Sequence, residues 1–392
     1  MVHWPDKKVE NDQNQYRICS KCVMDTTDPF IYFDENGICN HCYSYKKRIK
    51  EDYHVDSNGV KNLKNIISKI KTSKTKSKYN CIIGLSGGVD STYVAYLAKK
   101  IYKLEPLAVH FDNGWNSELA VKNIEKILKK LDIDLHTEVA DWNEFRELQK
   151  SFIKASVINW EIPTDHVIVA VLYKLAAKHG IKYILGGGNI TSEAIMPYSW
   201  SFNARDLKHL KAVHRKISGK NLKHITTLSI RKFFYYTFFR KIKWFPILNY
   251  INYSKKDVIK ILEDNLDWKY YGGKHYESIF TRFYQGYILK NKFNVDKRRA
   301  HLSSLINANQ LKREEAIDIL KTSGYEKDQF NNDYNFFLRK FEFSEEEFKK
   351  IMYLPIKKHN DYPSNIKIFE RFKKYIYIIK RFSTLNNKKI KS

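Results

Sequence analysis

A short segment rich in glycine and serine is the part of this chain best suited to hold a nucleotide. An apolar run at 80–85 is followed by Ser86-Gly-Gly-Val-Asp-Ser91, where helical periodicity begins. Paired glycines let the backbone turn tightly and approach an anion, and the amide groups that start a helix attract phosphate. Hydroxyl groups add hydrogen-bond donors, and a carboxylate can hold Mg²⁺. The pattern predicts a phosphate-binding loop.

The spacing of this loop differs from two common nucleotide-binding motifs. The Gly-Lys-Ser/Thr ending of a Walker loop is absent, and the glycines do not follow Gly-x-Gly-x-x-Gly. Two glycines alone would indicate only a tight turn, but the complete pattern after an apolar strand favours nucleotide binding. Asp90 is the candidate catalytic residue and magnesium ligand. The residues predicted to bind the phosphates are Ser86, Gly87, Gly88, Val89, Asp90 and Ser91.

Four of the five cysteines have the spacing of a metal site. Cys19 and Cys22 form one C-x2-C pair, Cys39 and Cys42 form a second, and sixteen residues separate the pairs. Four thiolates complete a tetrahedral shell, so we expect a structural zinc ion with no open position for water. A disulfide pair and an iron–sulfur cluster are the alternatives. Cys81 precedes the phosphate loop and is expected to be a small buried apolar residue.

Strand-like and helix-like segments alternate from about residue 79 to 255. Such alternation predicts an α/β fold with a doubly wound parallel sheet, in which ligands bind at the carboxyl ends of the strands. Asp112 and Asn113 follow the second predicted strand, where we expect adenosine to bind. The loop after the fourth predicted strand is expected to contact the α-phosphate or ribose through Gly186, Gly187, Gly188 and Asn189.

The chain has 392 residues and a formal net charge of +27, so we expect more than one domain and a strongly basic surface. This charge suits a polyanionic partner, but the basic residues are scattered, so drift in composition explains it equally well. The sequence shows no apolar stretch long enough to span a bilayer and no leader-like segment. We therefore expect a cytoplasmic protein.

Three regions follow from these patterns: a zinc-ribbon module at 1–55, an ATP-binding domain at 56–255 and a mostly helical region at 256–392. The basic and aromatic segment 201–245 is expected to pack in a core rather than against a membrane or partner. The tail 370–392 has a similar composition. We expect a solvated helix there, with peripheral contact to a membrane as the alternative.

Further segments accompany the phosphate loop and the cysteine pairs, and the set extends over roughly 16–320. They are Arg17-Ile-Cys-Ser-Lys-Cys-Val-Met-Asp-Thr-Thr-Asp-Pro29, Gly37-Ile-Cys-Asn-His-Cys42, His110-Phe-Asp-Asn-Gly-Trp115, Leu185-Gly-Gly-Gly-Asn189, Tyr271-Gly-Gly-Lys-His-Tyr-Glu277 and Asp296-Lys-Arg-Arg-Ala-His-Leu-Ser-Ser304. Together with the loop, which has the PP-loop pattern, they resemble the N-acetyl sugar amidotransferases. This family belongs to the PP-loop ATP pyrophosphatase superfamily and serves the biosynthesis of bacterial lipopolysaccharide and other surface glycans.

The resemblance implies a reaction that cleaves ATP between its α- and β-phosphates. AMP would activate the N-acetyl carbonyl oxygen of a nucleotide-linked sugar, and ammonia would then displace AMP to leave an acetamidino group. A separate glutaminase subunit would supply the ammonia through a cyclase-like subunit. The cofactors implied are ATP, Mg²⁺ and a structural Zn²⁺, and no nucleic-acid partner is expected.

Several charged residues outside the loop are candidates for contacting the substrate or steadying the transferred phosphoryl group. Surface charge on a helix explains them equally well. Glu161 and Asp165 either face the mouth of the sheet or cap a helix. The other candidates are Lys274, Glu277, Lys297, Arg298 and Arg299, of which Lys274, Arg298 and Arg299 are our predicted catalytic residues.

Two other classes of function compete with this interpretation. A transfer-RNA thiolation enzyme would use the same loop to adenylate a base, and the zinc module and net charge suit it. Such enzymes commonly need catalytic cysteines in the loop domain, where this sequence has only Cys81. A basic adaptor without enzymatic activity is the second alternative, and the intact phosphate loop argues against it.

Overall fold

Five short strands, all parallel, form the sheet that organises the nucleotide-binding part of the chain. The computed structural model describes residues 15–273, 275–369 and 371. The strands pair in the order β3-β2-β1-β4-β5, which confirms the predicted parallel sheet. They are β1 Cys81–Gly84, β2 Pro106–Asp112, β3 Leu135–Val139, β4 Tyr183–Gly186 and β5 Lys243–Pro246.

Helices connect the strands and make up most of the chain after the sheet. Turns of π-helix occur at 97–101, 235–239 and 284–288. The α-helices of the described residues are α1 Asn40–Asp52, α2 Ser57–Lys71, α3 Val89–Tyr96, α4 Glu118–Leu131, α5 Trp142–Lys154, α6 Ile162–His179, α7 Ile190–Glu193, α8 Leu207–Ser218, α9 Ile230–Phe234, α10 Lys255–Leu266, α11 Ile279–Phe283, α12 Leu289–Phe293, α13 Lys297–Asn307, α14 Arg313–Lys321, α15 Lys327–Phe341 and α16 Glu345–Tyr353.

The sheet is buried on both faces, because successive side chains of a strand point to opposite sides. Cys81 and Ile83 of β1 pack into a core with α3, α4 and α10. Ile82, between them, packs on the other face with residues of α6. Helices therefore cover both faces, and the doubly wound α/β architecture is confirmed.

The order of the strands places the candidate site. Strand β1 lies between β2 and β4, and the chain leaves β1 toward β2 before it returns to β4 on the other side. A crevice opens beyond the carboxyl ends at such a reversal. The loop at 85–88 and the loop at 187–189 both leave the sheet there.

Helix α6, which precedes β4 in the chain, has clear sequence signals at both ends. Pro163 lies in its first turn, where the missing N–H costs nothing, and Gly180 ends it with φ +73°. Most of its residues are apolar and it packs under β1, β2 and β4. Its N-terminus, with Glu161 at the N-cap and Asp165 in the first turn, lies near the carboxyl end of β2, where Asn113 contacts Thr164.

Residues 15–55, which contain the four motif cysteines and which we call the cysteine module, share one hydrophobic core with the C-terminal helices. Phe33 and Tyr45 lie in the same cluster as Phe280, Phe337 and Phe341. Further contacts attach the module to α13, where the amide of Val23 donates to the Ser303 hydroxyl at 3.1 Å. The helical region thus packs against both the cysteine module and the sheet.

Two elements were not expected from the sequence. The lysine-rich stretch before β1 contains α2, whose Leu63, Ile67 and Ile70 enter the core of the sheet. Strand β5, with four residues, overlaps the end of the segment 201–245 and forms one edge of the sheet. Of the helices that the structure describes, not one combines the length and apolar character needed to cross a membrane.

Candidate active site

The phosphate loop leaves β1 and enters α3 through two closely packed glycines. Gly87 has φ +79°, a conformation that side chains disfavour, and a Cβ there would lie 2.8 Å from the carbonyl oxygen of Ala120. A Cβ on Gly88 would lie 2.9 Å from Oε1 of Glu277. Helix α3 begins at Val89, so the amide groups of its first turn have no partners within the helix. These donors, at the positive end of the helix, suit a phosphate group.

The two serines of the loop brace the turn. Ser86 Oγ and Ser91 Oγ lie 3.1 Å apart, and the Gly88 amide donates to Ser86 Oγ at 3.3 Å. The Ser91 hydroxyl lies 3.1 Å from the Gly88 carbonyl oxygen, to which it donates. Both hydroxyls thus lie inside the turn, next to the amides that would meet a phosphate.

Two tyrosines from the region after β5 contact the loop. The Val89 amide donates to the Tyr271 hydroxyl at 3.0 Å, and the Tyr253 hydroxyl donates to the Asp90 carboxylate. Burial, followed by the charge of Asp90, raises the pKa of Tyr253, so this hydroxyl remains a donor. A phosphate that binds the Val89 amide has to replace the Tyr271 hydroxyl.

Carboxylates surround the loop and supply oxygen ligands of the kind that Mg²⁺ prefers. Asp90 lies in the first turn of α3. The Ser86 hydroxyl lies 3.5 Å from Oε1 of Glu277, and Oε2 of Glu193 lies 3.6 Å from the position of a Cβ on Gly188. Phosphates and three carboxylates repel one another, so a divalent cation is the natural complement of this arrangement. The sequence analysis did not identify Glu193 as a candidate ligand, because the residues around it resemble an ordinary helix.

Asp112 and Asn113 lie at the carboxyl end of β2, as expected, but their side chains mainly stabilise the turn that follows. Asp112 Oδ1 accepts from the Gly114 amide at 2.9 Å. Asn113 Oδ1 accepts from the Trp115 amide at 3.3 Å, and its Nδ2 donates to the Thr164 hydroxyl at 3.2 Å. Asn113 therefore ties the end of β2 to the first turn of α6, and adenosine contact by either residue stays a prediction.

The loop after β4 packs directly on the phosphate loop. A Cβ on Gly187 would lie 3.3 Å from the backbone carbon of Asp90. Asn189 caps α7, because its Oδ1 accepts from the Ser192 amide at 2.9 Å. Its Nδ2 is buried and has no hydrogen-bond partner among the described residues, which fits a donor reserved for a ligand oxygen.

A second group of charged residues lies at the start of α6, and we call Glu161, Asp165, His275 and Lys297 the acid–lysine cluster. Lys297 Nζ lies 3.1 Å from Glu161 Oε2, and both side chains are mostly buried. The Gln285 amide donates to the same oxygen at 3.1 Å. Glu161 occupies the N-cap position of α6 and Asp165 lies in its first turn, but the Glu161 side chain makes no capping hydrogen bond and pairs with Lys297 instead.

The two carboxyl groups of the cluster have opposite pKa shifts. Burial alone would raise the pKa of Glu161, but Lys297 and His275 outweigh it and lower that pKa. The Asp165 residue is partly exposed to solvent, although its carboxyl group is closely surrounded by protein atoms. This enclosure, with the neighbouring charge of Glu161, raises the pKa of Asp165 to about 7. One carboxyl is thus held ionised and the other can exchange a proton near neutral pH.

One segment connects the cluster to the phosphate loop. An antiparallel bridge joins Ser278 to Asn116, beyond the end of β2. Glu277 precedes it and contacts the phosphate loop, whereas Thr281, on the first turn of α11, hydrogen-bonds Glu161 through its side chain. The segment 277–281 therefore contacts both the phosphate loop and the acid–lysine cluster. The sequence offered no local signal for this proximity.

The predicted catalytic arginines make packing contacts instead. Arg299 Nε lies 2.9 Å from Asp25 Oδ2 in the cysteine module, and its Nη1 donates to the Val23 carbonyl oxygen at 2.9 Å. Arg298 pairs with Asp296 at 2.7 Å. These contacts favour a structural role for both, and Lys297 takes their place as our catalytic candidate. The predicted catalytic residue Lys274 lies outside the described residues.

The structure brings the four motif cysteines together. Their sulfur atoms all lie within 4.8 Å of one another, and Sγ pairs are separated by 3.6, 3.8 and 3.9 Å. These are the edges of a tetrahedron with bonds of about 2.3 Å, which fits a single zinc ion. An iron–sulfur cluster, with several atoms between its thiolates, needs a wider spacing. The four residues are Cys19, Cys22, Cys39 and Cys42.

Two family models match separate parts of this chain. Residues 60–226 match NAD synthase. Residues 277–375 match the family described as LPS biosynthesis protein WbpG-like, C-terminal domain. The first range contains the phosphate loop and Asp165, and the second begins at Glu277 and contains Lys297.

Individual relatives are more distant. An uncharacterized protein of Methanocaldococcus jannaschii is 28% identical over 174 residues, or 43% of this chain, which spans 58% of that protein's length. The NH3-dependent NAD synthetase of Campylobacter jejuni is 18% identical, with 54% of this chain and 85% of that chain covered and a TM-score of 0.29. The U34-tRNA thiolase NcsA of Methanococcus maripaludis is 16% identical, with 78% and 88% covered and a TM-score of 0.33.

Proposed function

This chain joins an NAD synthase-type PP-loop domain to a WbpG-like C-terminal domain, and we propose that it is an ATP-dependent, AMP-forming N-acetyl sugar amidotransferase of lipopolysaccharide biosynthesis. The N-acetyl carbonyl oxygen of a nucleotide-linked sugar attacks the α-phosphorus of ATP, and pyrophosphate leaves. Ammonia then adds to the carbonyl carbon, and AMP leaves with the oxygen. The acetamido group becomes an acetamidino group.

The observation that carries this proposal is the contact between the two matched regions at the phosphate loop. Glu277, the first residue of the WbpG-like match, accepts from Ser86 within the loop. A region associated with lipopolysaccharide biosynthesis therefore supplies part of the site that would hold ATP. The same match contributes Lys297 to the acid–lysine cluster.

The acid–lysine cluster suits the second half of the reaction. Ammonia is mostly ammonium near neutral pH, so a base has to remove a proton before nitrogen attacks carbon. Asp165 is accessible and titrates near neutrality, which suits that task. The amidino product is cationic, and the ionised carboxylate of Glu161 favours the charge that develops on it. Lys297 keeps Glu161 ionised and can stabilise the departing AMP.

The proposal includes ammonia from another protein. Four of the five cysteines lie in the four-cysteine cluster that would hold zinc, and Cys81 is fully buried at the start of β1. Burial raises the pKa of the Cys81 thiol, so it is a poor nucleophile. A cysteine-dependent glutaminase reaction has no candidate nucleophile here, so we propose a glutaminase subunit with a cyclase-like subunit that conducts ammonia. The same burial disfavours sulfur transfer in a thiolation reaction.

ATP consumption in the presence of ammonium chloride tests the proposal directly. The purified chain is incubated with MgATP and, one at a time, nucleotide-linked sugars that carry N-acetyl groups, and AMP and pyrophosphate are measured. We expect AMP formation that depends on one sugar, and mass analysis should show that oxygen has been replaced by NH in that sugar. The de-N-acetylated form of the same sugar is the matched control and should give no AMP.

Two results would contradict the proposal. AMP formation that depends on transfer RNA and not on any sugar would favour the thiolation enzyme. If MgATP failed to raise the unfolding temperature, the chain would not bind the nucleotide, and the basic adaptor without enzymatic activity would be favoured.

A further inference from the structure

Residues 229–245 place aromatic rings on the surface beside the sheet edge β5. We call Tyr235, Phe238, Phe239 and Trp244 the aromatic ridge, and these side chains are 47%, 54%, 77% and 44% exposed. The expectation that this segment packs in a core holds only for its inner side. There, Phe233 packs against Tyr173 of α6 with ring centroids 5.5 Å apart. The outer rings are on the surface because the segment forms a short helix with aromatic residues on both sides.

Basic side chains flank the aromatic ridge. Arg231, Lys232, Lys241 and Lys243 are all exposed. They belong to a longer acid-free stretch, since residues 207–256 contain thirteen Lys and Arg and no Asp or Glu. No acidic residue of the segment 207–256 therefore neutralises the positive charge beside the ridge.

The rings of this segment pack against one another. Tyr235 and Phe239 are stacked with centroids 5.9 Å apart and an interplanar angle of 23°, and Phe234 and Phe238 lie 6.1 Å apart. Aromatic residues that bind single-stranded nucleic acid present free faces to the bases. Here Tyr235 and Phe239 turn one face toward each other, so neighbouring rings share a single exposed apolar surface, which suits insertion between lipid headgroups.

We infer that the aromatic ridge and its flanking basic residues bind the surface of an anionic lipid bilayer. The aromatic rings enter the interface between headgroups and acyl chains, while Arg231, Lys232, Lys241 and Lys243 pair with lipid phosphates. This contact is peripheral and goes beyond the proposed reaction. It would hold the enzyme at a membrane surface.

Charge favours a bilayer over two other occupants of this surface. A second copy of the chain would bring the same basic surface into a symmetric contact, and the like charges would repel. The tail at 371–392 contains eight Lys and Arg and no Asp or Glu, so it cannot neutralise the ridge either. An anionic bilayer is complementary in charge to the basic residues beside the ridge and to those of the tail.

Sedimentation with lipid vesicles tests this inference on the full chain without any sugar substrate. We expect binding to phosphatidylcholine vesicles that contain phosphatidylglycerol and much weaker binding to phosphatidylcholine alone. The variant Tyr235→Ser/Phe239→Ser should bind the anionic vesicles about tenfold more weakly, because its aromatic rings no longer enter the interface. The control Ile319→Ser/Tyr353→Ser, which changes two exposed apolar residues elsewhere, should bind like the wild type.

A charge-matched pair of variants separates a specific surface from the general effect of net charge. Arg231→Gln/Lys232→Gln/Lys241→Gln/Lys243→Gln should lose more than tenfold in affinity, since each basic residue near an anionic surface contributes about fivefold. The control replaces four exposed lysines with Gln on α2, namely Lys61, Lys64, Lys69 and Lys71. Equal losses in the two variants would overturn the inference.

Two further outcomes would also overturn it. If the wild type bound equally well to vesicles with and without phosphatidylglycerol, binding would not require an anionic lipid surface. A wild-type dimer that Tyr235→Ser/Phe239→Ser converts to a monomer would assign the ridge to self-association. Unfolding temperatures equal to that of the wild type would show that the variants fold. None of these measurements depends on the proposed reaction with sugars.

Discussion

The phosphate loop and the acid–lysine cluster are two halves of one candidate site, but they are built in opposite ways. The loop consists of consecutive residues, 86–91, and its donors are mainly backbone amides at the start of α3. The cluster takes side chains from 161, 165, 275 and 297, and its properties come from charges that compensate one another. The candidate phosphate loop is therefore formed by neighbouring residues of the chain, whereas the proposed acid–base cluster depends on tertiary contacts.

This difference determines how each half should respond to mutation. Loss of one carboxylate from the loop removes a ligand but leaves the backbone turn intact. Loss of Lys297 leaves the buried carboxylate of Glu161 without its cation, which disturbs every charge nearby. Activity, nucleotide binding and pH dependence should separate the two halves.

The largest effect on activity is expected for Asp90→Asn in the phosphate loop. The variant keeps the size of the side chain but removes the charge that would hold Mg²⁺, so AMP formation should fall by about 10³-fold or more. Thermal unfolding should be close to wild type. The control Asp257→Asn changes an exposed carboxylate at the start of α10 and should retain activity. Normal turnover of Asp90→Asn would exclude Asp90 from the site.

Lys297→Met should reduce sugar-dependent AMP formation by about 100-fold, because Glu161 then favours its neutral form and the departing AMP loses a cation. The shift of the unfolding temperature by MgATP should persist, since the loop amides are unchanged. Lys292 is a matched control: it is equally buried at 8%, but its Nζ donates to backbone carbonyls of Ile351 and Leu354. Lys292→Met should destabilise the fold without changing the pH profile. Loss of nucleotide binding in Lys297→Met would contradict the separation of the two halves.

Asp165→Asn should lower ammonia-dependent turnover by about tenfold or more above neutral pH, because the proton acceptor is gone. Wild-type activity should rise as pH passes through about 7, where the Asp165 carboxyl ionises, and the variant should lack this rise. A rise that persists in Asp165→Asn would assign the titration to another group.

Ionisation of Asp165 should lower the stability of the fold over the same pH range in which it raises activity. The pKa of Asp165 is about 7 in the folded chain and 3.8 in the reference state, so the folded state favours the protonated form. Its contribution to stability is present below the lower value and is lost as pH rises through about 7. The unfolding temperature of Asp165→Asn should therefore decline less than that of the wild type over this pH range.

The smallest effect on activity is expected for Arg299→Ala. Arg299 pairs with Asp25, which is fully buried, so removal of the guanidinium should cost about 3–5 kcal/mol of stability and weaken the attachment of the cysteine module to α13. Turnover below the unfolding temperature should change less than about threefold, since the guanidinium contacts Asp25 and Val23 of the cysteine module. Lys21→Ala, an exposed neighbour, is the control for stability. A large loss of turnover with normal stability would restore Arg299 as a catalytic residue.

Much of the fold followed from local patterns. The first predicted strand, 80–85, corresponds to Cys81–Gly84, and the expected parallel sheet is present. Strand β5 was missed because its four residues contain Pro246 and lie within an aromatic, basic segment that has no strand-like alternation. Helix α2 was hidden by its lysines, although Leu63, Ile67 and Ile70 recur at helical spacing.

The sequence alone determined the features that depend on neighbouring residues. The loop at 86–91 and the two cysteine pairs require only a backbone turn and a short ligand spacing, and both are visible in the printed chain. The tertiary structure decided which charges face each other. Glu277 contacts the phosphate loop, and Lys297, rather than Arg298 or Arg299, contacts Glu161, because the chain folds the segments around 277 and 297 back onto the loop and onto the start of α6. Electrostatic compensation depends on distance in space, which sequence separation does not determine.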